Sequence, residues 1–170
     1  MRVSSLITPA RVLAALLQLF FIYGGHLSAA QSDIPVISII IDDIGYRHID
    51  DVNALALPGP VAYAIMPHSP YAVKMSELAA RTGKDIILHM PMEAIENANN
   101  RFLGPGGLML DMNEARFVMT MIHNLRSVPN IIGVNNHMGS LLSMDQERMG
   151  WLMDYLHVRK IFYIDSVTIG

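Results

Sequence analysis

The amino-acid sequence predicts an α/β fold built around a parallel sheet. Apolar, β-branched runs alternate with segments in which apolar residues recur at helical spacing, and five such strand-like runs occur along the chain. Strands that are connected through helices lie parallel, with right-handed crossovers. A closed barrel of eight units takes roughly 250 residues. The sequence therefore predicts either a compact open sheet or, as we expect, a product that is truncated at its C-terminus.

Five strands are predicted from short apolar runs that are bounded by turn residues or by helical segments. The first run is rich in β-branched residues, as expected for a strand that is buried on both faces. The loop at residues 96–107 is long for a compact domain, which favours a functional role for it. The predicted strands are residues 35–41, 61–66, 85–92, 131–134 and 160–164.

Four helical segments separate these strands, beginning with a short, weakly helical stretch at residues 48–57. Ser69 is predicted to cap the second helix, the third begins near Asp111, and Ser143 with Gln146 forms a capping box for the fourth. The predicted buried faces are Tyr71, Met75, Leu78 and Ala79 in the second helix, Ala115, Val118, Met119, Ile122 and Leu125 in the third, and Met149, Leu152, Met153 and Leu156 in the fourth.

The N-terminus has the pattern of a secretory signal peptide. Arg2 and Arg11 precede an apolar stretch at residues 12–23, and the small residues Ser28 and Ala30 follow. The apolar stretch is shorter than the ~20 residues that a membrane-spanning helix needs. We therefore expect residues 1–30 to be removed, leaving a periplasmic or secreted domain at residues 31–170 without a stable membrane span. An uncleaved anchor is the alternative.

The charge of the chain limits the partners of that domain, and its cysteine content limits how the domain can be stabilised. The chain has a net charge of −3, and no basic patch interleaves with aromatic residues, so nothing indicates nucleic-acid binding. The chain contains no cysteine. An exported domain of this kind must therefore be stabilised by its core or by a metal ion, and not by disulfides.

Polar residues that can bind metals or transfer protons cluster at the ends of the predicted strands. The C-terminal ends of parallel strands share one edge of the sheet, and in α/β folds that edge carries the site. We therefore expect these side chains to converge. They are Asp42 and Asp43 after the first strand, His68 after the second, His89 near the end of the third, Asn135, Asn136 and His137 after the fourth, and Asp165 after the fifth.

Imidazole combined with carboxylate predicts a divalent metal site, with Asp43, His89 and His137 as ligands and zinc as the expected ion. Asp42 would accept a proton from bound water, whose pKa the metal lowers toward ~7. Neighbouring side chains of a strand point to opposite faces. The two aspartates can share a site only where the strand breaks, and Gly45 supplies flexibility there. The alternative is an ordinary turn, with His89 as a buried core residue.

Three separated motifs resemble the divergent polysaccharide deacetylase family of exported bacterial proteins. They are "IIIDDIG", "LHMPME" and "GVNNHMGS", and "FYIDS" follows them. The resemblance extends from Pro35 to the C-terminus and implies a distorted (β/α) barrel, here truncated. In the better-understood deacetylases of this superfamily, the first aspartate of the pair is the catalytic base and the second is a metal ligand. The resemblance implies these roles for Asp42 and Asp43, respectively.

The sequence departs from those better-understood deacetylases in three ways. No two histidines form the H-x-x-x-H metal motif, so the histidine ligands would come from separate strands as His89 and His137. The chain also has no arginine motif of the R-x-P-Y kind and no later segment that could supply the usual acid histidine. Either His68 replaces that acid, or a missing C-terminal part carries it, or the protein has no such step.

The resemblance implies an exported, metal-dependent hydrolase that removes acetyl groups from a polysaccharide or cell-envelope glycan. A non-catalytic periplasmic protein that binds glycan or metal at the same site is the alternative. A glycosidase ranks last, because adjacent aspartates do not readily flank a sugar at separations of roughly 5–9.5 Å. The candidate site residues are Asp42, His68 and Asp165 for catalysis, Asp43, His89 and His137 for the metal, and Glu93, Asn135 and Asn136 for substrate binding.

Overall fold

Five parallel strands form one sheet in the computed structural model, which describes residues 36–167. The strands lie in the order β1-β2-β3-β4-β5, so strands that follow one another in the chain are neighbours. The predicted parallel α/β fold is therefore confirmed. The strands are β1 (Ile39–Ile44), β2 (Val61–Ile65), β3 (Asp85–Met92), β4 (Gly133–Met138) and β5 (Phe162–Ile164).

Helices connect the strands, as the sequence predicts. The loop after β3, predicted to be functional, contains a 3₁₀ helix at Asn97–Phe102, and a second short 3₁₀ helix occupies Leu142–Met144. The signal peptide that we expect at residues 1–30 lies outside the described residues. The α-helices are α1 (His48–Leu55), α2 (Ala72–Arg81), α3 (Glu114–Ser127) and α4 (Gln146–Val158).

Among the strands, β2 and β3 contribute the most buried apolar side chains to the core. Tyr63 of β2 and Leu88 of β3 are fully buried, and Met75 of α2 and Phe117 of α3 belong to the same cluster of buried apolar side chains. Each such side chain stabilises the fold by roughly 1.5–3 kcal/mol relative to an exposed position. The predicted bounds of the third strand, residues 85–92, are confirmed.

The prediction that the first strand is buried on both faces is wrong. Ile39 is 53% exposed and Ile41 is partly exposed. β1 forms an edge of the sheet within residues 36–167, with β2 on one side, so its apolar residues are only partly covered. The strand also begins later than predicted, at Ile39, and continues through Asp42 and Asp43.

The predicted starts of three helices are wrong. Ser69 does not cap α2, because its hydroxyl donates a hydrogen bond to a backbone carbonyl of the preceding turn. Asn113, and not Asp111, caps α3, and Asp145, and not Ser143, caps α4. Both of these side chains accept a hydrogen bond from the amide three residues further on. Closely spaced polar residues offer several possible caps, and the backbone path selects among them.

The buried face of α3 is also rotated relative to the prediction. Phe117, Met121 and Asn124 are fully buried, whereas Met119 of the predicted face is 66% exposed. Met153, predicted to lie inside α4, is 43% exposed. Apolar residues occur on overlapping faces of α3, and the face that is buried contains an asparagine, which hydropathy alone assigns to solvent.

The C-terminal ends of β3 and β4 lie side by side. β4 runs to Met138, so Asn135 and His137 lie within the strand and not after it as predicted. In the register of the parallel pair, Asn135 lies opposite His89 and His137 lies opposite Pro91. This pairing brings the polar residues of both strands to one edge of the sheet.

Candidate metal centre

A β-bulge in β1 turns both aspartates toward one cavity. Between Ile41 and Ile44 the strand advances by three residues while its partner β2 advances by two. Asp43 occupies the left-handed region of backbone conformation, with φ of 62°, which aspartate tolerates better than most residues. An extra residue in one strand re-aims its side chains. Asp42 and Asp43 consequently both line the same cavity.

A buried carboxylate holds the loop that follows the aspartates. Asp51 is 4% exposed and accepts hydrogen bonds from the backbone amides of Gly45 and Arg47, each at 3.0 Å. Gly45 has φ of 123°, and a Cβ atom there would overlap Ser69 Oγ. Sequence reasoning missed Asp51, because an acid in the first turn of a helix ordinarily signals only an interaction with the helix dipole.

Three donor atoms from three strands meet at the C-terminal edge of the sheet. Oδ1 of Asp43 lies 3.4 Å from Nε2 of His89 and 3.1 Å from Nδ1 of His137. The two nitrogen atoms are 3.2 Å apart. The structure therefore brings together the three residues that the sequence analysis proposes as metal ligands.

The geometry of these donors fits a divalent metal ion. With bonds of roughly 2.0–2.2 Å, two ligands of a tetrahedral ion lie roughly 3.3–3.6 Å apart. The three donor separations, 3.1, 3.2 and 3.4 Å, are close to those values. Two imidazoles and one carboxylate also leave a coordination position for water or substrate, as catalytic sites do. Asp43, His89 and His137 could therefore hold such an ion.

Electrostatics keep Asp43 ready to act as a ligand. The neighbouring imidazoles of His137, and next of His89, hold the pKa of Asp43 well below its ordinary value of 3.8, because each ring stabilises the carboxylate whenever it carries a hydrogen on the nitrogen that faces Asp43. The pKa of Tyr46 is raised, first by burial of its ring and second by the negative charge of Asp43. The carboxylate is thus ionised throughout the neutral range, and the nearby phenol is not.

Asn135 lies between Asp42 and His89. Its side chain is 2% exposed, with Oδ1 2.8 Å from Nδ1 of His89 and Nδ2 2.9 Å from Oδ1 of Asp42. The Asp42 side chain is 42% exposed and lies at the cavity. The amide of Asn135, predicted to contact substrate, is therefore engaged with protein groups.

The metal ligands and Asp42 line a cavity of about 360 Å³. The C-terminal parts of β3 and β4 contribute to its walls, and the 3₁₀ helix after β3 contributes one amide side chain. The remaining lining residues are Ala94, Asn99, Asn136, Met138, Ser140 and Ser166. Most of the residues that line the cavity are polar, and Ala94 and Met138 are the apolar ones.

The structure does not bring His68 to this cavity. His68 lines another cavity of about 480 Å³ together with His123 and Asn124. Its Nε2 lies 2.9 Å from Oδ1 of Asn124, and its ring centroid is 4.7 Å from that of His123. The role of acid that we expected for His68 therefore has no support in the geometry of residues 36–167.

The other candidate residues differ in their relation to the cavity. Asn136 lines it, and its Oδ1 accepts a hydrogen bond from the backbone amide of Ser166 at 2.8 Å. Glu93 accepts a hydrogen bond from the backbone amide of Leu110 at 2.6 Å. Asp165 is exposed and accepts one from the amide two residues further on. Glu93 and Asp165 therefore stabilise backbone at the edge of the site, and their predicted contacts with substrate or catalytic groups remain predictions.

Residues 39–170, which include this site, match the family described as divergent polysaccharide deacetylase. The chain belongs to this family. The resemblance noted in the sequence is therefore confirmed. The matched region contains every element of the sheet and all three donor residues of the candidate metal centre.

Two relatives of this divergent polysaccharide deacetylase family member are described as uncharacterized. This chain is 38% identical over 144 residues to a protein of Haemophilus influenzae, and the alignment covers 84% of this chain and 49% of that protein. It is 31% identical over 134 residues to YibQ of Escherichia coli, covering 79% of this chain and 41% of YibQ. The chain thus spans less than half the length of both curated relatives.

A solved structure shares the fold. The crystal structure of an uncharacterized protein from Agrobacterium tumefaciens superposes with a TM-score of 0.73 at 19% identity, covering 78% of this chain and 54% of that chain. At that identity the likeness concerns the fold alone. Among the described residues, no helix has the length and apolar character needed to cross a membrane.

Proposed function

We propose that this protein is an exported, zinc-dependent hydrolase that removes acetyl groups from a polysaccharide or cell-envelope glycan. One observation carries the proposal: Asp42 lines the same cavity as the three converging donors of Asp43, His89 and His137. Membership of the divergent polysaccharide deacetylase family supports a glycan substrate. The N-terminal pattern at residues 1–30 supports export.

The roles of the residues follow from their positions. Asp43, His89 and His137 would hold the metal, which would supply polarisation of a carbonyl oxygen and a lower pKa of water. Asp42, half-exposed at the cavity, accepts the proton of the attacking water as general base. The cavity of about 360 Å³ is within the usual size range of small-ligand sites and admits an acetylated sugar unit.

Acetate release measured against metal content tests the proposal. The purified protein is stripped with a chelator, zinc is returned in steps, and acetate is measured with N-acetylated and O-acetylated oligosaccharides. We expect activity to rise in proportion to bound zinc up to one ion per chain. In Asp42→Asn we expect zinc binding to persist and the rate to fall by ~10²–10⁴-fold, since a general base is removed.

Two results would overturn the proposal: full activity in metal-free protein, or an Asp42→Asn variant that turns over at the wild-type rate. Binding of glycan and zinc without acetate release would identify a binding protein of the cell envelope. Release of reducing ends would identify a glycosidase. Sequencing the N-terminus of the protein from a periplasmic fraction tests export, because cleavage of the signal peptide predicts a chain that begins near residue 31.

A further inference from the structure

Asn135 connects two parts of the candidate centre through one side chain. It lies on β4 directly opposite His89 of β3. Its Nδ2 is 2.9 Å from Oδ1 of Asp42 and 3.4 Å from Oγ of Ser166, so both amide hydrogens have acceptors. Its Oδ1 is 2.8 Å from Nδ1 of His89. At 2% exposure, this amide is positioned to organise protein groups and not to meet a substrate.

Hydrogen-bond chemistry fixes the direction of each of these contacts. An ionised carboxylate only accepts hydrogen bonds, so the amide nitrogen of Asn135 must face Asp42 and its oxygen must face His89. An amide oxygen also only accepts, so Nδ1 of His89 carries the hydrogen. In a neutral imidazole, Nε2 then carries the lone pair. Nε2 is the atom that lies beside the carboxylate of Asp43, at 3.4 Å.

This tautomer competes with another one. The carboxylate of Asp43 is next to Nε2 and would favour a hydrogen on that atom, which would close a histidine–carboxylate pair and remove the lone pair from the metal site. The amide oxygen of Asn135 favours the opposite arrangement. Within residues 36–167, Nε2 of His137 is buried without a hydrogen-bond partner, so of the two ligand imidazoles His89 is the one whose outer nitrogen is fixed.

We propose that Asn135 is a positioning residue that presets the metal-ligating tautomer of His89 and, through the same amide, holds the carboxylate of Asp42. Outer hydrogen bonds to metal-ligating histidines commonly set both tautomer and affinity. The part concerning His89 depends only on metal binding. The part concerning Asp42 rests on the proposed function, in which Asp42 is the general base.

Nitrogen-15 NMR of the metal-free protein tests the tautomer directly. At pH ~8, where an ordinary imidazole is neutral, two-bond hydrogen–nitrogen correlations distinguish the two tautomers of each histidine. We expect hydrogen on Nδ1 of His89 in the wild type and on Nε2 in Asn135→Ala. The matched control is Asn124→Ala, which removes the corresponding amide beside His68 and should leave the His89 signals unchanged. A wild-type His89 with hydrogen on Nε2 would overturn the proposal, even if no variant folds.

Zinc affinity and acetate release separate the two functions of the amide. Asn135→Ala loses both contacts, and we expect its zinc affinity to fall by ~10–100-fold. Asn135→Asp keeps an oxygen acceptor for His89 but places a second carboxylate against Asp42. We expect that variant to keep zinc affinity within ~3-fold of the wild type and to release acetate at least ~10-fold more slowly.

The outcomes also separate this inference from the proposed function. If the wild type binds zinc but releases no acetate, the proposed function fails, and the NMR and affinity results still decide the role of Asn135. If acetate is released and Asn135→Ala keeps both the wild-type tautomer and wild-type zinc affinity, the proposed function stands and the role of Asn135 is refuted.

Discussion

Two regions of the molecule contain a histidine beside a buried asparagine, and they differ in what surrounds the pair. His89 lies 2.8 Å from Oδ1 of Asn135, and His68 lies 2.9 Å from Oδ1 of Asn124. Each pair has a second histidine nearby, with ring centroids 4.9 Å apart at the first and 4.7 Å apart at the second. The first pair also has Asp43 within 3.4 Å, whereas no carboxylate lines the cavity of the second among the described residues.

This difference shows what turns a buried histidine into a candidate ligand. An amide that orients the ring is common to both regions, so orientation alone does not make a metal site. The additional element is a carboxylate delivered by the bulge of β1, together with the loop that holds the bulge in place. Changes in the ligands should therefore affect the first region and leave the second unchanged, whereas changes in that loop test how the carboxylate is held in place.

The largest effect is expected from removing a ligand. His137→Ala should lower zinc affinity by more than ~100-fold, because it removes a ligand itself and outer-shell changes already cost ~10–100-fold. The matched variant is His123→Ala in the second region, which should bind zinc with wild-type affinity. Isothermal titration against a competing chelator measures both. Equal losses in the two variants would show that the two regions do not differ as proposed.

A large loss of stability is expected from Gly45→Ala. The new Cβ would overlap Ser69 Oγ, and the backbone has φ of 123°. Strain of ~1–3 kcal/mol and overpacking of ~1–3 kcal/mol predict a loss of roughly 2–6 kcal/mol in the free energy of unfolding, and weaker zinc binding because Asp43 is displaced. Gly59→Ala is the control, since Gly59 has φ of 86° and no atom within 4 Å of the added carbon. Urea unfolding of both variants separates strain from overlap, and equal losses would exclude the overlap.

A smaller loss is expected from Asp51→Ala. Two backbone amides would lose a buried charged acceptor, which predicts a loss of ~2–3 kcal/mol in the free energy of unfolding. Asp50→Ala removes an adjacent carboxylate whose side chain is 59% exposed and pairs with Arg47 at the surface, so its loss should be about 0.5 kcal/mol. Urea unfolding curves of both variants measure the two losses. A larger loss in Asp51→Ala than in Asp50→Ala would show that the buried acceptor, and not negative charge alone, stabilises the loop; equal losses would contradict this.

Much of this arrangement follows from sequence pattern, because strand order and the shared edge depend on the βαβ alternation. That alternation places Asp43, His89 and His137 at one edge without knowledge of any contact. The same pattern does not specify side-chain direction. A bulge adds one residue to a strand without changing its hydropathy pattern, so the sequence does not reveal the bulge in β1. The sequence therefore predicts that Asp42 and Asp43 share a cavity only on the condition that the strand breaks there.

Two further features could not be predicted because they depend on tertiary contacts. His68 follows β2 and Asp43 lies near the end of β1, yet the chain after β2 turns so that His68 contacts α3, with its backbone amide 3.2 Å from Ser127 Oγ. Asn135 was expected to meet substrate, since an asparagine near a strand end is ordinarily exposed. Its burial results from β4 continuing to Met138 beside β3, which local propensity does not indicate.

The smallest expected effect concerns acid stability of the metal-free protein. The neighbouring imidazoles of His137 and His89 lower the pKa of Asp43, so its contribution to stability is complete above the ordinary value near 4 and is lost as the pH falls below it. The Asp43 side chain is 66% exposed, and solvent screening keeps the contribution below ~1 kcal/mol. Between pH ~6 and pH ~3, the wild type should therefore lose roughly 0.5 kcal/mol more than Asp43→Asn in urea unfolding with chelator present. Parallel pH dependence of wild type and variant would mean that the histidines do not stabilise the carboxylate of Asp43 in the metal-free protein. Without a bound ion, the histidines of the first region would then gain nothing from a carboxylate, as in the second region.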